Sequence, residues 1–297
     1  MLEASIALAA LAVLLAWPVP ILLGRARWPR RAPAVALALW QSIALAGGLS
    51  MIGALLTFGL EPFGHDLVDA SIGFARLDGD ADPWHVLALC AALLLTVHLL
   101  FNLVATLVRS ERQRRRHAQL VTLLSSPLES GARLIDSPTP VAYCLPGPFS
   151  SVTVYSAGLV ELLDPDELEA VVEHEKAHVE QRHDVVLIAF RAWYASLPWF
   201  PIAYRAQREV GLLIEMLADD RARRSVDTGT LARAIVRVGA SGAGESTSPA
   251  ELSDRILRLE LPPLPLASEA LVIGGAAALL GVPTALLFAP ALLSALA

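Results

Sequence analysis

The chain has 297 residues, enough for one or two domains. It is 55% hydrophobic but only 6% aromatic, and its mean hydropathy is +0.55, which excludes an ordinary water-soluble enzyme and calls for membrane spans. The net charge of −6 argues against direct nucleic-acid binding, and the two distant cysteines, Cys90 and Cys144, argue against a disulfide framework or a cysteine metal site.

Residues 5–24 form a first apolar run long enough to cross a bilayer, with Pro18 and Pro20 expected to kink it. A cleaved signal peptide is the alternative, disfavoured by the Met-Leu-Glu start and by the cluster Arg25, Arg27, Arg30 and Arg31 that follows. Residues 34–60 form a second run. A loop over 61–83 carries Glu61, Asp66, Asp69, Asp78, Asp80 and Asp82 against Arg76 alone. Residues 84–108 form a third run, ended by Arg109, Arg112, Arg114, Arg115 and Arg116. The positive-inside rule places both Arg clusters in the cytoplasm, and the acidic loop and the N-terminus outside. Residues 1–108 are thus a three-helix transmembrane region. His98 lies in its third span, either as a functional group or as a neutral side chain bonded to a neighbouring helix.

Residues 109–267 are largely polar and form the second region. Two β-like runs come first: Val141-Ala142-Tyr143-Cys144-Leu145 after Pro140, ended by Pro146-Gly147-Pro148, and Val152-Thr153-Val154-Tyr155. Asp164-Pro165-Asp166-Glu167 reads as an N-cap, a proline at the first helical position and a capping Glu, opening a helix over 165–182. That helix carries His174-Glu175-Lys176-Ala177-His178. At a spacing of four, His174 and His178 leave one face and can share a Zn²⁺, while Glu175 can take a proton from a water held by the metal. Chance alone gives this pattern in roughly one such chain in a hundred, so the context must carry the reading.

Zinc needs a further ligand. Glu215 is the candidate, on an apolar segment where an unpaired carboxylate is costly. Asp219, one turn on, can accept the N–H of a zinc-bound histidine. The other reading of both acids is ordinary solvated charge. Residues 185–203 are apolar enough to suggest a fifth span, but they lie between His178 and Glu215. Ligands must come within about 2 Å of one ion, so the segment cannot cross if Glu215 is a ligand. It is expected to be a core helix or a helix at the membrane surface, turned back at Leu197-Pro198-Trp199-Phe200-Pro201. Residues 239–249 read as a Gly/Ser loop, 252–261 as a helix, and Pro262-Pro263-Leu264-Pro265 as a stiff connector. A fourth apolar run over 271–296 makes 268–297 a C-terminal transmembrane helix with an extracytoplasmic end.

These residues together resemble the BlaR/MecR-type integral-membrane zinc metallopeptidases and their sensorless actinobacterial relatives. The matching residues are Ser137-Pro138, Pro140-Val141-Ala142, Ser156-Ala157-Gly158-Leu159, Asp166-Glu167-Leu168, His174-Glu175-Lys176-Ala177-His178, Arg182-His183-Asp184, Leu197-Pro198-Trp199-Phe200-Pro201, and Glu215 with Ala218-Asp219. Three spans before this region and one after also fit. The resemblance implies a mainly α protein: four transmembrane helices plus a cytoplasmic gluzincin-like zinc peptidase domain with a small β element. It implies one Zn²⁺ per chain on His174, His178 and Glu215, with Glu175 as general base and Asp219 behind the ligands. The penicillin-binding domain of the β-lactam sensors does not follow the last span here, so β-lactam sensing is not implied. HtpX and CAAX prenyl proteases share the zinc pattern, but typical HtpX proteins place two spans on each side of it.

The expected protein is therefore a multi-pass membrane endopeptidase acting on a protein or peptide, with a transcriptional repressor as one kind of substrate implied by the resemblance. An HtpX-like quality-control protease and a non-catalytic zinc-binding scaffold are the rivals. Val152, Thr153, Val154 and Tyr155 either pair with an extended substrate or form a core strand. Tyr204 and His183 are candidates for stabilising the oxyanion.

Overall fold

The computed structural model describes residues 1–76, 79–128, 131–146, 151–242 and 248–296. It is mainly α, with four helical stretches long and apolar enough to cross a membrane: Leu2–Arg25, Pro33–Gly59, Pro83–Leu124 and Leu266–Ala289. The first is two helices, α1 (Leu2–Ala16) and α2 (Pro18–Arg25), broken at Trp17 because Pro18 has no amide hydrogen to continue the ladder. α3 (Pro33–Gly59) is the central span. Two hydroxyls at this span bond to main-chain carbonyls, as a bilayer interior favours: Thr57 Oγ1 donates to the Gly53 carbonyl at 2.8 Å, and Ser5 Oγ of α1 donates to the Ala54 carbonyl at 3.0 Å.

The acidic segment is not all loop. Asp66 Oδ1 accepts the amides of Val68 and Asp69 at 2.9 Å and so caps a short helix, α4 (Leu67–Arg76). Its acid is a helix cap that composition alone reads as loop charge. Asp78 lies outside the described residues. α5 (Pro83–Leu124) is 42 residues long and runs unbroken past the Arg cluster, so the boundary expected at 108 falls inside one rigid rod. The rod continues for about 24 Å beyond residue 108.

Four strands follow: β1 (Ser125–Pro127), β2 (Arg133–Ile135), β3 (Ala142–Pro146) and β4 (Ser151–Ser156). Their order in the sheet is β1-β2-β4-β3, with β4 antiparallel to β3 and parallel to β2. β3 and β4 coincide with the two expected runs; Gly147 and Pro148, expected to end the first, lie outside the described residues. The motif residues beside the sheet have structural duties. Ser156 is buried, and its hydroxyl accepts the amides of Val141 at 3.0 Å and Leu159 at 3.1 Å. A side chain on Gly158 would collide with the Pro138 carbonyl oxygen.

The region after the sheet is helical: α6 (Ala157–Leu162), α7 (Pro165–Glu180), α8 (His183–Ser196), α9 (Pro201–Ala222), α10 (Thr228–Ala240) and α11 (Pro249–Glu260), before α12 (Leu266–Leu296). Part of the Gly/Ser loop, residues 243–247, lies outside the described residues. α7 starts as its sequence suggests, with Glu167 Oε2 accepting the Asp164 amide at 3.2 Å. α8 and α9 form a hairpin turned at residues 197–200, where the Phe200 amide donates to the Leu197 carbonyl at 3.0 Å. The apolar segment 185–203 therefore turns back. It does not lie free on a surface either. Phe190, Val210, Leu213 and Ile214 join Leu15, Trp40, Ile43 and Ala46 of the spans in one buried core. A second core of Ala170, Ala222, Leu231, Ala234, Ile235 and Leu259 binds α7, α9, α10 and α11 together.

Candidate metal centre

α7 and α9 pack side by side, and this brings together residues separated by 37 or more positions in the chain. His174 Nε2 and His178 Nε2 lie 3.2 Å apart. Glu215 Oε2 is 3.3 Å from His174 Nε2, and Glu215 Oε1 is 3.6 Å from His178 Nε2. Ligands about 2.0–2.1 Å from a tetrahedral zinc stand roughly 3.3 Å from one another. The observed edges match that figure, and two imidazoles with one carboxylate are an ordinary zinc donor set. The three residues thus fit the metal in both chemistry and size.

A second layer holds these groups. Asp219 Oδ1 lies 2.8 Å from His174 Nδ1, close but not aligned for a straight N–H bond, so charge against ring dominates this contact. His178 Nδ1 is 3.0 Å from His183 Nδ1, and His183 Nε2 is 2.9 Å from Gln181 Oε1. The amide oxygen of Gln181 can only accept, so His183 donates from Nε2. Its Nδ1 is then the acceptor for His178 Nδ1–H, which leaves His178 Nε2 with a lone pair for a metal. His183 is placed by Arg182, whose backbone is left-handed (φ 51°) and turns the chain sharply between α7 and α8. Such a backbone costs about 1–2 kcal/mol for a residue with a side chain.

Reading the sequence alone passed over one residue here. Arg255 of α11 donates from Nε to Asp219 Oδ2 and from Nη2 to Asp219 Oδ1, both at 2.8 Å, and its Nη1 lies 3.3 Å from Glu215 Oε2. One turn on, Arg258 donates to Asp220 at 2.9 Å. An Arg pair one turn apart opposite two adjacent Asp residues was the only hint, and it looks like a solvated helix face until the two helices are seen in contact.

Charge and burial set the protonation states. Burial opposes a charge on His174, but the Asp219 carboxylate outweighs it and raises the ring to about 10. Burial pushes His178 down to about 4 and also lowers His183. Glu215 is crowded by protein atoms although 38% of its side chain faces the cavity; burial would raise it, but His174 and Arg255 hold it well below the usual carboxylate range. Asp219 is lowered in the same way, by Arg255 ahead of His174. Burial raises Glu175 to about 7, with His174 opposing and Glu215 adding to the rise.

His174, Glu175, Glu215 and Arg255 open onto a cavity of about 460 Å³. Pro140, Val141 and Ala142 line one side of it, and Leu231, Ala234, Ile235, Val238 and Leu252 form an apolar wall. The strand residues were expected either to pair with a substrate or to form a core strand. Val152, Thr153, Val154 and Tyr155 lie in β4, inside the sheet. Val154 and Tyr155 pair with β2 on one side and β3 on the other, which leaves no free edge there for a substrate. The free edge beside the cavity belongs to β3. Tyr204 is also away from the centre: it lies on α9 near the hairpin turn, half-exposed and against Tyr194, about 16 Å along the helix from Glu215. His183 stands behind His178, with its Nδ1 3.0 Å from His178 Nδ1.

Residues 107–205, a third of the chain, match the model of peptidase family M48. The matched stretch contains His174, Glu175 and His178 and stops before Glu215 and Asp219. It supports a metallopeptidase and does not extend to the narrower BlaR/MecR type. Searches among curated proteins and among solved structures found no match.

Proposed function

We propose that this chain is an integral-membrane zinc endopeptidase. The observation that carries the reading is the His174–His178–Glu215 triangle, sized for one zinc per chain and facing a cavity that also holds Glu175. Zinc bound there supplies a Lewis acid that polarises a scissile carbonyl and acidifies water. The remaining work belongs to side chains. Glu175 is not needed to hold metal, and its carboxylate takes the proton of the attacking water and passes it to the leaving nitrogen. Asp219, fixed by the Arg255 fork, keeps His174 oriented. A substrate strand pairs along the outer edge of β3, with side chains directed at the apolar wall from α10 and α11.

The peptidase region sits in the cytoplasm in this reading, with both termini outside. Two observations support that side. The Arg clusters flank the first and third spans as the positive-inside rule requires. One of them also touches the peptidase region directly: Arg30 pairs with Asp254 of α11 at 2.7 Å. The substrate is a cytoplasmic or membrane-associated regulatory protein, with a repressor of transcription as one form. Three spans before the site and one after, as in the BlaR/MecR type, favour this over an HtpX-like quality-control role. A structural zinc scaffold would leave Glu175 and the open cavity without a purpose. The test is to identify full-length proteins that accumulate in cells whose only copy carries Glu175→Ala. One or a few regulators are expected. A broad set of misfolded membrane proteins would favour quality control, and no accumulation at all would contradict the peptidase reading.

A further inference from the structure

The α8–α9 hairpin packs against the transmembrane helices at a depth that a soluble domain would not reach. Trp193, near the end of α8, lies against Gly48 so closely that a Cβ there would stand 3.0 Å from its ring. Gly48 is two residues past the centre of the 27-residue α3. His98 Nε2 donates to the Ser196 carbonyl at 3.0 Å, and His98 lies 15 residues into α5, near the middle of that span's apolar part. The last carbonyls of a helix have no partner in their own helix, and in lipid that is costly. His98 meets this need at the tip of α8. Leu197 and Phe200 of the turn line an apolar cavity together with Gly47 and Met51 of α3. The outward side of the tip is apolar or aromatic, with Trp199 76% exposed and stacked edge-on to Phe200, and Tyr194 part-exposed on α8 against Tyr204. Arg191 and Arg205 lie six and five residues from the turn, both exposed, with side chains long enough to snorkel towards headgroups.

We infer that α8 and α9 form a re-entrant hairpin that enters the bilayer from the peptidase side, reaches about its mid-plane, and hangs the metal centre at the level of the lipid headgroups. Two independent lengths give that height. From the first residue of α9 at the tip to Glu215 is 14 residues, or about 21 Å, and half a hydrocarbon core is about 15 Å, so Glu215 lies roughly 6 Å outside the core. Gly24, at the end of the first span, abuts Arg205 and Glu209 of α9, and Glu215 is six residues, roughly 9 Å, beyond Glu209. The hairpin thus explains an apolar segment that must not cross. It acts as a depth gauge: a centre at headgroup height meets polypeptide held at the membrane surface.

The inference rests on the four-span reading but not on peptide cleavage, and its test reads depth whether or not any bond is cut. The full chain, in a Cys90→Ser, Cys144→Ser background, is placed in phosphatidylcholine–phosphatidylglycerol vesicles. A nitroxide is attached at Trp199→Cys, at Tyr194→Cys, or at Glu180→Cys, the last being an exposed residue at the end of α7. A circular-dichroism spectrum like that of the parent shows that each variant is folded, and the Tyr194 label decides the matter if the Trp199 variant is not. Labels at 199 and 194 should collide with oxygen more than with a water-soluble nickel chelate, at depths within about 5–8 Å of the bilayer centre. The label at 180 should show the reverse. Nickel accessibility at 199 and 194 equal to that at 180 would overturn the inference. So would reaction of a cysteine at 199 with an impermeant thiol reagent from the face opposite to 180, which would make the segment a full span.

Discussion

His174 and Glu175 are neighbours in sequence, yet the surroundings shift both upwards by different means, and this has a measurable consequence. At pH 7 the metal-free protein carries a proton on His174, held by Asp219, and about half a proton on buried Glu175. A ligating nitrogen must give up its proton, so zinc uptake at pH 7 should release about one to one and a half protons, and affinity should weaken as pH falls. Calorimetry in buffers of different ionisation enthalpy checks this, and Glu175→Gln should bring the release closer to one. Arg255 acts through the residues it grips. Arg255→Ala would leave Asp219 charged and fully enclosed, at a cost of about 3–5 kcal/mol to the fold. It should also weaken zinc binding roughly 10–100-fold, the usual effect of losing a group behind a ligand. Arg255→Lys restores the charge but not the two-pronged grip, so it should recover only part of both. Chelator competition and thermal melting of the metal-free protein separate the two effects.

At the scale of elements, the β3 edge carries a specific expectation. Val141 exchanges bonds with Ser156, its amide donating to the Ser156 hydroxyl and its carbonyl accepting the Ser156 amide, so the next residue, Ala142, directs its backbone away from β4. Ala142→Pro removes one outward donor at an edge where proline is tolerated. Cleavage should fall about 3–10-fold in kcat/KM through KM, with stability nearly unchanged, as for one lost hydrogen bond. Unchanged KM would move the substrate strand elsewhere. The zinc helix was legible in the sequence because its signals are local: the Asp164–Glu167 cap of α7 and the spacing of His174 and His178. β3 was legible as a run, but its place at the free edge was not. β2 is only three residues long, too short to show alternation, and it is β2 that closes one side of β4 and so moves the free edge to β3. Arg255 was hidden for a related reason. Its partners come from a helix 36 residues earlier, and only packing reveals the match.

For the whole molecule, hydropathy pointed to four apolar helices long enough to span, because the bilayer acts on every residue of a span alike, and arginine placement supplied the orientation proposed here. They could not distinguish a hairpin lying on the surface from one inserted among the spans; that depended on single contacts such as Trp193 on Gly48 and His98 on Ser196. Reporter fusions near Asp69 and after Ala297 should read as extracytoplasmic, and one near Gly242 as cytoplasmic. An extracytoplasmic signal at Gly242 would reverse the orientation and remove cytoplasmic proteins from the substrates. The central claim is the division of labour between metal ligands and proton carrier, and the most direct test is zinc content measured beside proteolysis on the purified full chain. The parent and Glu175→Gln should each hold about one zinc, with Glu175→Gln at least about 100-fold slower, while His178→Ala and Glu215→Ala should lose the metal. Zinc retained in full by His178→Ala, or lost by Glu175→Gln while Glu215→Ala keeps it, would contradict the account.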